Sequence, residues 1–132
     1  MTDFRARVRA FLAAPDFVVA GASSKRSKFG NRVLRCYLTH DRPVFGLNRT
    51  GESVERVACF QSLHELPDSV RSLSLVTPPA VSESLIEACP SAGIERVWMQ
   101  PGAQSSRAIE RAEALGLEPI YGGPCLLVEL GC

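Results

Sequence analysis

Short apolar runs alternate along this chain with segments whose apolar residues recur at helical spacing, and each run gives way to Gly, Asn, Gln or Thr. The first run is Asp16-Phe17-Val18-Val19-Ala20, closed by Gly21. Consecutive apolar side chains without alternation are what a strand buried on both faces requires. Further runs cover Pro43 to Leu47, Val57 to Phe60, Leu73 to Val76, Arg96 to Met99 and Glu118 to Tyr121. Between them lie a stripe of Val33, Leu34, Tyr37 and Leu38, a helical turn from Leu63 to Leu66, and helices from Ala80 to Cys89 and Gln104 to Leu115. Parallel strands need crossover connections of fixed hand. The alternation therefore predicts an α/β, Rossmann-like, doubly wound and mainly parallel sheet, ordered 3-2-1-4-5-6, with helices on both faces.

A chain of 132 residues, 45% hydrophobic and 22% charged, fits one domain over residues 1–132. Phe4, Val8, Phe11 and Leu12 at helical spacing give a docking helix within residues 1–14. An Arg-rich organellar presequence is the alternative, against which Asp3 and the short length count. No apolar run approaches the roughly 20 residues of a membrane span, and the basic-then-apolar layout of a secretory signal is missing, so the chain reads as cytoplasmic with no membrane partner. The five cysteines are odd in number, widely spaced and without a CxxC pair, which suggests neither a disulfide framework nor a zinc site and reads most of them as small buried hydrophobes. A net charge of +1 gives no reason to expect nucleic acid as a partner.

In a doubly wound sheet, ligands bind beyond the carboxyl ends of the strands where the order reverses. Here that point lies between the first and fourth strands. Gly21-Ala22-Ser23-Ser24 follows the first strand, and Lys28-Phe29-Gly30 opens the next helix. Small residues let backbone N–H groups approach a phosphate, and a helix N-terminus favours negative charge. Lys25, Arg26, Lys28, Arg32 and Arg35 put five cations between Phe17 and His40 with no acid among them. The alternative is a tight turn with solvated lysines.

The usual dinucleotide fingerprint is not met, since Ser23 and Arg26 stand where its second and third glycines would. Asn48-Arg49 ends the second strand in place of the acid that holds the ribose hydroxyls of NAD. Arg49 suits a phosphorylated ribose, which leaves coenzyme A, with its 3′-phosphate, and NADP, with its 2′-phosphate. Thr77-Pro78-Pro79 closes the fourth strand, where Thr77 as a helix cap with Pro78 in the first turn competes with a role lining the crevice. Gln100 ends the fifth strand within reach of a ligand amide. Cys125 reads as a structural thiol first and a reactive one second. There is no zinc-protease motif, no nucleophile elbow and no Walker loop. Without a nucleophile and an orienting base the pattern favours binding over catalysis. An NADP-linked or thiol-transfer enzyme and a cofactor-regulated interaction protein are the alternatives, and monomer and homodimer both remain open.

Gly21-Ala22-Ser23-Ser24, Lys28 through Arg35, Asn48, Pro78-Pro79, Val97-Trp98-Met99-Gln100, Gly102 and Cys125 together resemble the small stand-alone CoA-binding proteins, relatives of the nucleotide-binding domain of the succinyl-CoA synthetase alpha subunit. The resemblance implies a Rossmann-like domain that binds coenzyme A, with the first loop and helix start on its phosphates. Arg49-Thr50 stands where members often carry Pro and a basic residue, so the 3′-phosphate contact rests on this sequence alone.

Overall fold

All four residues of β1 (Phe17–Ala20) are buried, Phe17 and Val19 in one apolar layer and Val18 and Ala20 in the other. This two-sided burial explains the absence of alternation and places β1 at the centre of the sheet. The structure, a computed structural model, describes residues 3–132. β1 pairs in parallel with β2 (Val44–Leu47) on one side. Beyond β2 lies β3 (Cys59–Phe60), and on the other side of β1 follow β4 (Ser72–Leu75) and β5 (Arg96–Met99). The order is β3-β2-β1-β4-β5, all parallel.

The expected sixth strand is reduced to a single bridge. Of residues 118–121 only Ile120 pairs with the sheet, opposite Trp98. Glu118 sits at φ 45° and Pro119 has no N–H to donate, so the ladder cannot extend.

Helices cover both faces. α1 (Phe4–Leu12) and α2 (Phe29–Thr39) close over Phe17, Val19 and Trp98, whereas α3 (Pro79–Ala92) and α4 (Ser106–Ala114) close over Val18, Ala20, Leu73 and Val97. Asp3 caps α1 by accepting from the Ala6 N–H at 3.1 Å, and Phe11 meets the Trp98 ring edge-on at 5.3 Å. Of the docking helix expected within residues 1–14, Met1 and Thr2 lie outside the described residues. α3 runs three residues past its expected end at Cys89, carrying Pro90 in its last turn until Gly93 closes it in the left-handed conformation. A short helix that the sequence did not reveal, α5 (Leu126–Leu130), packs against α2. No helix among the described residues is long and apolar enough to cross a membrane.

α5 also overturns the reading of the cysteines. It carries the chain onto α2, where Cys132 forms a disulfide with Cys36 across 96 residues of sequence. Spacing alone gives no hint of a pair brought together by tertiary packing. Cys59 and Cys89 are buried free thiols, and Cys125 is half-buried.

Burial pushes the Cys89 thiol up to about 12 and raises the Tyr37 phenol, whose 2.7 Å hydrogen bond with Ser74 works against the shift. Both groups are therefore held neutral in the fold. The Cys89 contribution is complete below about pH 9, the ordinary thiol value, and is lost as pH rises from 9 toward 12, because the unfolded chain then releases a proton that the folded chain retains; the Tyr37 contribution begins to fall only above about pH 10. Urea midpoints are expected to fall across that range, and Cys89→Ala to remove part of the slope. A midpoint independent of pH up to 11, or an unchanged slope in the variant, would contradict this.

Candidate functional site

From the carboxyl ends of the neighbouring strands β1 and β4 the chain departs to opposite faces, into α2 and α3, leaving a crevice of about 640 Å³ at the reversal point. Eight of the residues expected at the site line it: Gly21, Ala22, Ser23, Ser24, Asn48, Arg49, Thr77 and Pro78. The structure leaves Lys28, Phe29, Gly30, Pro79 and Gln100 outside that lining.

The loop after β1 is held by its neighbours and by Ser23, whose Oγ accepts from the Lys25 N–H at 3.2 Å. Gly21 adopts φ 94°, its N–H donates to the Leu47 carbonyl at 3.0 Å, and a Cβ there would meet the Val76 carbonyl oxygen at 2.5 Å. Gly30 serves packing: a Cβ at this position would collide with the Gly21 carbonyl oxygen, so only glycine lets α2 start directly against the loop. Asn31, fully buried, donates to the Ser23 carbonyl at 2.8 Å and to Glu55 Oε2 at 3.2 Å, while its Oδ1 accepts from Arg35 Nε at 2.7 Å. Arg35 reaches on to the Arg26 carbonyl at 2.9 Å. Both halves of the loop are thus tied to the first two turns of α2.

Glu55 arrives from a segment that gave no signal in the sequence. Val54 and Val57 pair as a minimal hairpin, with Glu55 at φ 50° and Arg56 at φ 64°, the positive values that a two-residue hairpin turn of the favoured hand demands. Glu55 also stands 3.5 Å from Arg26. Lys25, Arg26 and Lys28 remain exposed, and no side chain caps the first turn of α2. Exposed cations beside uncapped N–H groups form an anion-favouring rim.

Across the crevice, Asn48 holds its own loop. Its Oδ1 accepts from the Gly51 N–H at 2.7 Å, and its amide donates to the Glu52 carbonyl at 3.2 Å and, more weakly, to Ala22 at 3.4 Å. Gln61 supports the next residue by donating to the Arg49 carbonyl at 2.7 Å, which leaves the Arg49 side chain exposed at the rim. Glu52 brings to this wall a carboxylate that inspection of the strand end alone did not anticipate.

The third wall is apolar. Pro78 is the cap residue of α3 and Pro79 its first helical residue, so Thr77 is one position too early to cap the helix; its hydroxyl bonds instead with buried Ser82 at 2.8 Å. Behind it, Val76, Val81 and Leu85 face the crevice. Val81 is 45% exposed, an unusual condition for a large aliphatic side chain in a first helical turn. Gln100 lies elsewhere: it is fully buried, and its Oε1 accepts from the Leu126 N–H at 2.9 Å, tying β5 to α5.

Comparison with known proteins follows the same outline. Residues 16–131 match the family described as CoA binding domain. A conserved hypothetical protein from Pyrococcus furiosus is 32% identical, with a TM-score of 0.81 over 86% of this chain and 97% of its own. A hypothetical protein from Pyrococcus horikoshii OT3 superposes with a TM-score of 0.87 at 23% identity, covering 96% of this chain and 89% of its own. The dinucleotide-forming acetyl-coenzyme A synthetase 1 of Ca. Korarchaeum cryptofilum matches 92% of this chain with only 27% of its own length, at 23% identity and a TM-score of 0.72. Among curated proteins no match is found. With a family match across residues 16–131 and a relative at 32% identity, this chain belongs to the family of CoA-binding domains.

Proposed function

We propose that this chain is a single-domain cytoplasmic protein, monomeric or homodimeric, that holds coenzyme A or an acyl-CoA in the crevice and performs no reaction on it. The observation that carries the reading is the meeting of two unlike walls in one cavity: a polar one, made by the small-residue loop Gly21 to Ser24 with Arg49 across from it, and the aliphatic surface of Val76, Val81 and Leu85. Coenzyme A has those two halves. Its pyrophosphate suits the loop, and its pantetheine arm suits the apolar wall, where it would cover Val81. The crevice lining contains no His, Cys or Lys, and one carboxylate, Glu52, which favours retention over chemistry. The loop cations are assigned to cofactor phosphates, so no nucleic-acid partner is proposed. DNA affinity that persists under saturating CoA would argue otherwise.

Arg49 is assigned to the 3′-phosphate. Calorimetric titration should give CoA about a fivefold advantage over dephospho-CoA, corresponding to the roughly 1 kcal/mol that an exposed ion pair supplies at best. Arg49→Ala should erase the advantage while leaving dephospho-CoA binding unchanged. Equal affinity for the two ligands in the unaltered protein would remove Arg49 from the site, and failure to bind either would remove the reading itself.

A further inference from the structure

Away from the crevice, where α5 meets α2, three side chains converge whose chemistry CoA binding does not use. Cys36 and His40 lie four residues apart near the end of α2, a spacing that stacks them on one helical face, and Cys132 is brought against them. One ligand atom from each lies within 4.8 Å of the others. His40 Nδ1 is 3.7 Å from Cys132 Sγ and 3.0 Å from the Cys36 carbonyl oxygen. Zinc–sulfur bonds of about 2.3 Å and zinc–nitrogen bonds of about 2.0 Å, set at the tetrahedral angle, place sulfur and nitrogen about 3.6 Å apart and two sulfurs about 3.8 Å apart. The Nδ1–Sγ separation already matches such an edge. The second sulfur, bonded to the first in the disulfide, must separate from it to complete the set.

We propose that, once the Cys36–Cys132 disulfide is reduced, Cys36, Cys132 and His40 form a binding site for one zinc-class divalent cation. Reduction by a phosphine or a dithiol adds two electrons and two protons to the disulfide and leaves two thiols; the reductant leaves as phosphine oxide or cyclic disulfide. Metal entry then displaces both thiol protons to solvent. His40 ligates through Nδ1 with its ring proton on Nε2, and its contact with the Cys36 carbonyl is given up. Two thiolates balance the cation's charge, and soft sulfur with imidazole selects zinc-class metals over magnesium or calcium. Arg32 and Arg35 line the adjoining cavity of about 270 Å³. The fourth position faces that cavity and takes water. A reducing compartment keeps such cysteines as thiols, so there the metal state replaces the disulfide state.

The test is titration of the reduced full-length chain with zinc against a chromophoric chelator, and with cobalt, whose thiolate charge-transfer band reports sulfur ligation directly. One equivalent is expected to bind, to protect two cysteines from alkylation, and to be excluded after oxidation with diamide. His40→Ala and Cys132→Ser, both at exposed positions, should weaken binding about 100-fold or more, whereas Cys125→Ser should leave it unchanged. Substoichiometric binding by the reduced protein overturns the proposal. So does wild-type affinity in either ligand variant, or loss of the cobalt band with Cys125→Ser in place of Cys132→Ser. None of these readouts depends on CoA, so failure here leaves the crevice reading intact.

Discussion

Gly30→Ala is expected to lower stability by about 2 kcal/mol and to weaken CoA binding at least tenfold. On local grounds the substitution should help, because alanine exceeds glycine in helix propensity by about 1 kcal/mol and Gly30 lies inside α2. Packing reverses the sign. The new methyl falls on the Gly21 carbonyl oxygen, and that carbonyl cannot retreat. Gly21 is fixed on one side by its 3.0 Å bond to Leu47 and crowded on the other by the Val76 carbonyl. Overpacking against fixed backbone costs about 1–3 kcal/mol, enough to outweigh the propensity gain. At this chain length the loss corresponds to roughly 8 °C in Tm. Relief can come only by moving the start of α2 away from the loop, which separates Asn31 from the Ser23 carbonyl and displaces the segment that lines the crevice. Gly93→Ala provides the comparison, since a Cβ there meets nothing within 4 Å and only its φ of 84° opposes the change. Thermal melts and CoA titration decide the matter: a Gly30→Ala protein as stable and as tight-binding as the original would mean that the loop does not depend on this contact.

Features legible in the sequence were those expressed locally. β1 announced itself through four apolar residues in succession, because a central parallel strand is buried on both faces. Once that strand was placed, topology put Asn48-Arg49 and Thr77-Pro78 beside Gly21 without any contact being known. The run Arg96 to Met99 likewise marks a covered strand, and its Trp98 and Met99 are buried. Less legible were groups whose role depends on distant neighbours. Glycine at position 30 suits both ligand approach and helix packing, and only the position of the Gly21 carbonyl reveals the packing role. Gln100 looked exposed at a strand end until α5, too short to give a periodic signal, covered it. Glu52, Gln61, Val81 and Leu85 lie in segments of ordinary composition that reach the crevice only through folding.

The largest loss of stability is expected from Trp98→Ala, at about 4 kcal/mol, or roughly 15 °C in Tm. Trp98 is fully buried on β5, and three separate pieces of chain rest on it. Phe11 of α1 packs against its ring, Ile120 pairs with its backbone, and Pro124 accepts a hydrogen bond from its indole N–H at 2.9 Å. The sheet ends here with one bridge in place of a sixth strand, so little backbone pairing remains to hold residues 118–124 if the side chain is lost. Trp98→Phe separates the contributions: it keeps most of the aromatic contact but leaves the Pro124 carbonyl without its donor, for a loss of about 1–2 kcal/mol. Neither change touches the crevice lining. Below its lowered Tm, the alanine variant should therefore still bind CoA, and saturating cofactor should raise its Tm by as much as it raises that of the unaltered protein, since ligand stabilisation depends on affinity and concentration. Loss of CoA binding at temperatures where circular dichroism shows the variant folded would mean that the core beneath β5 and the crevice are coupled.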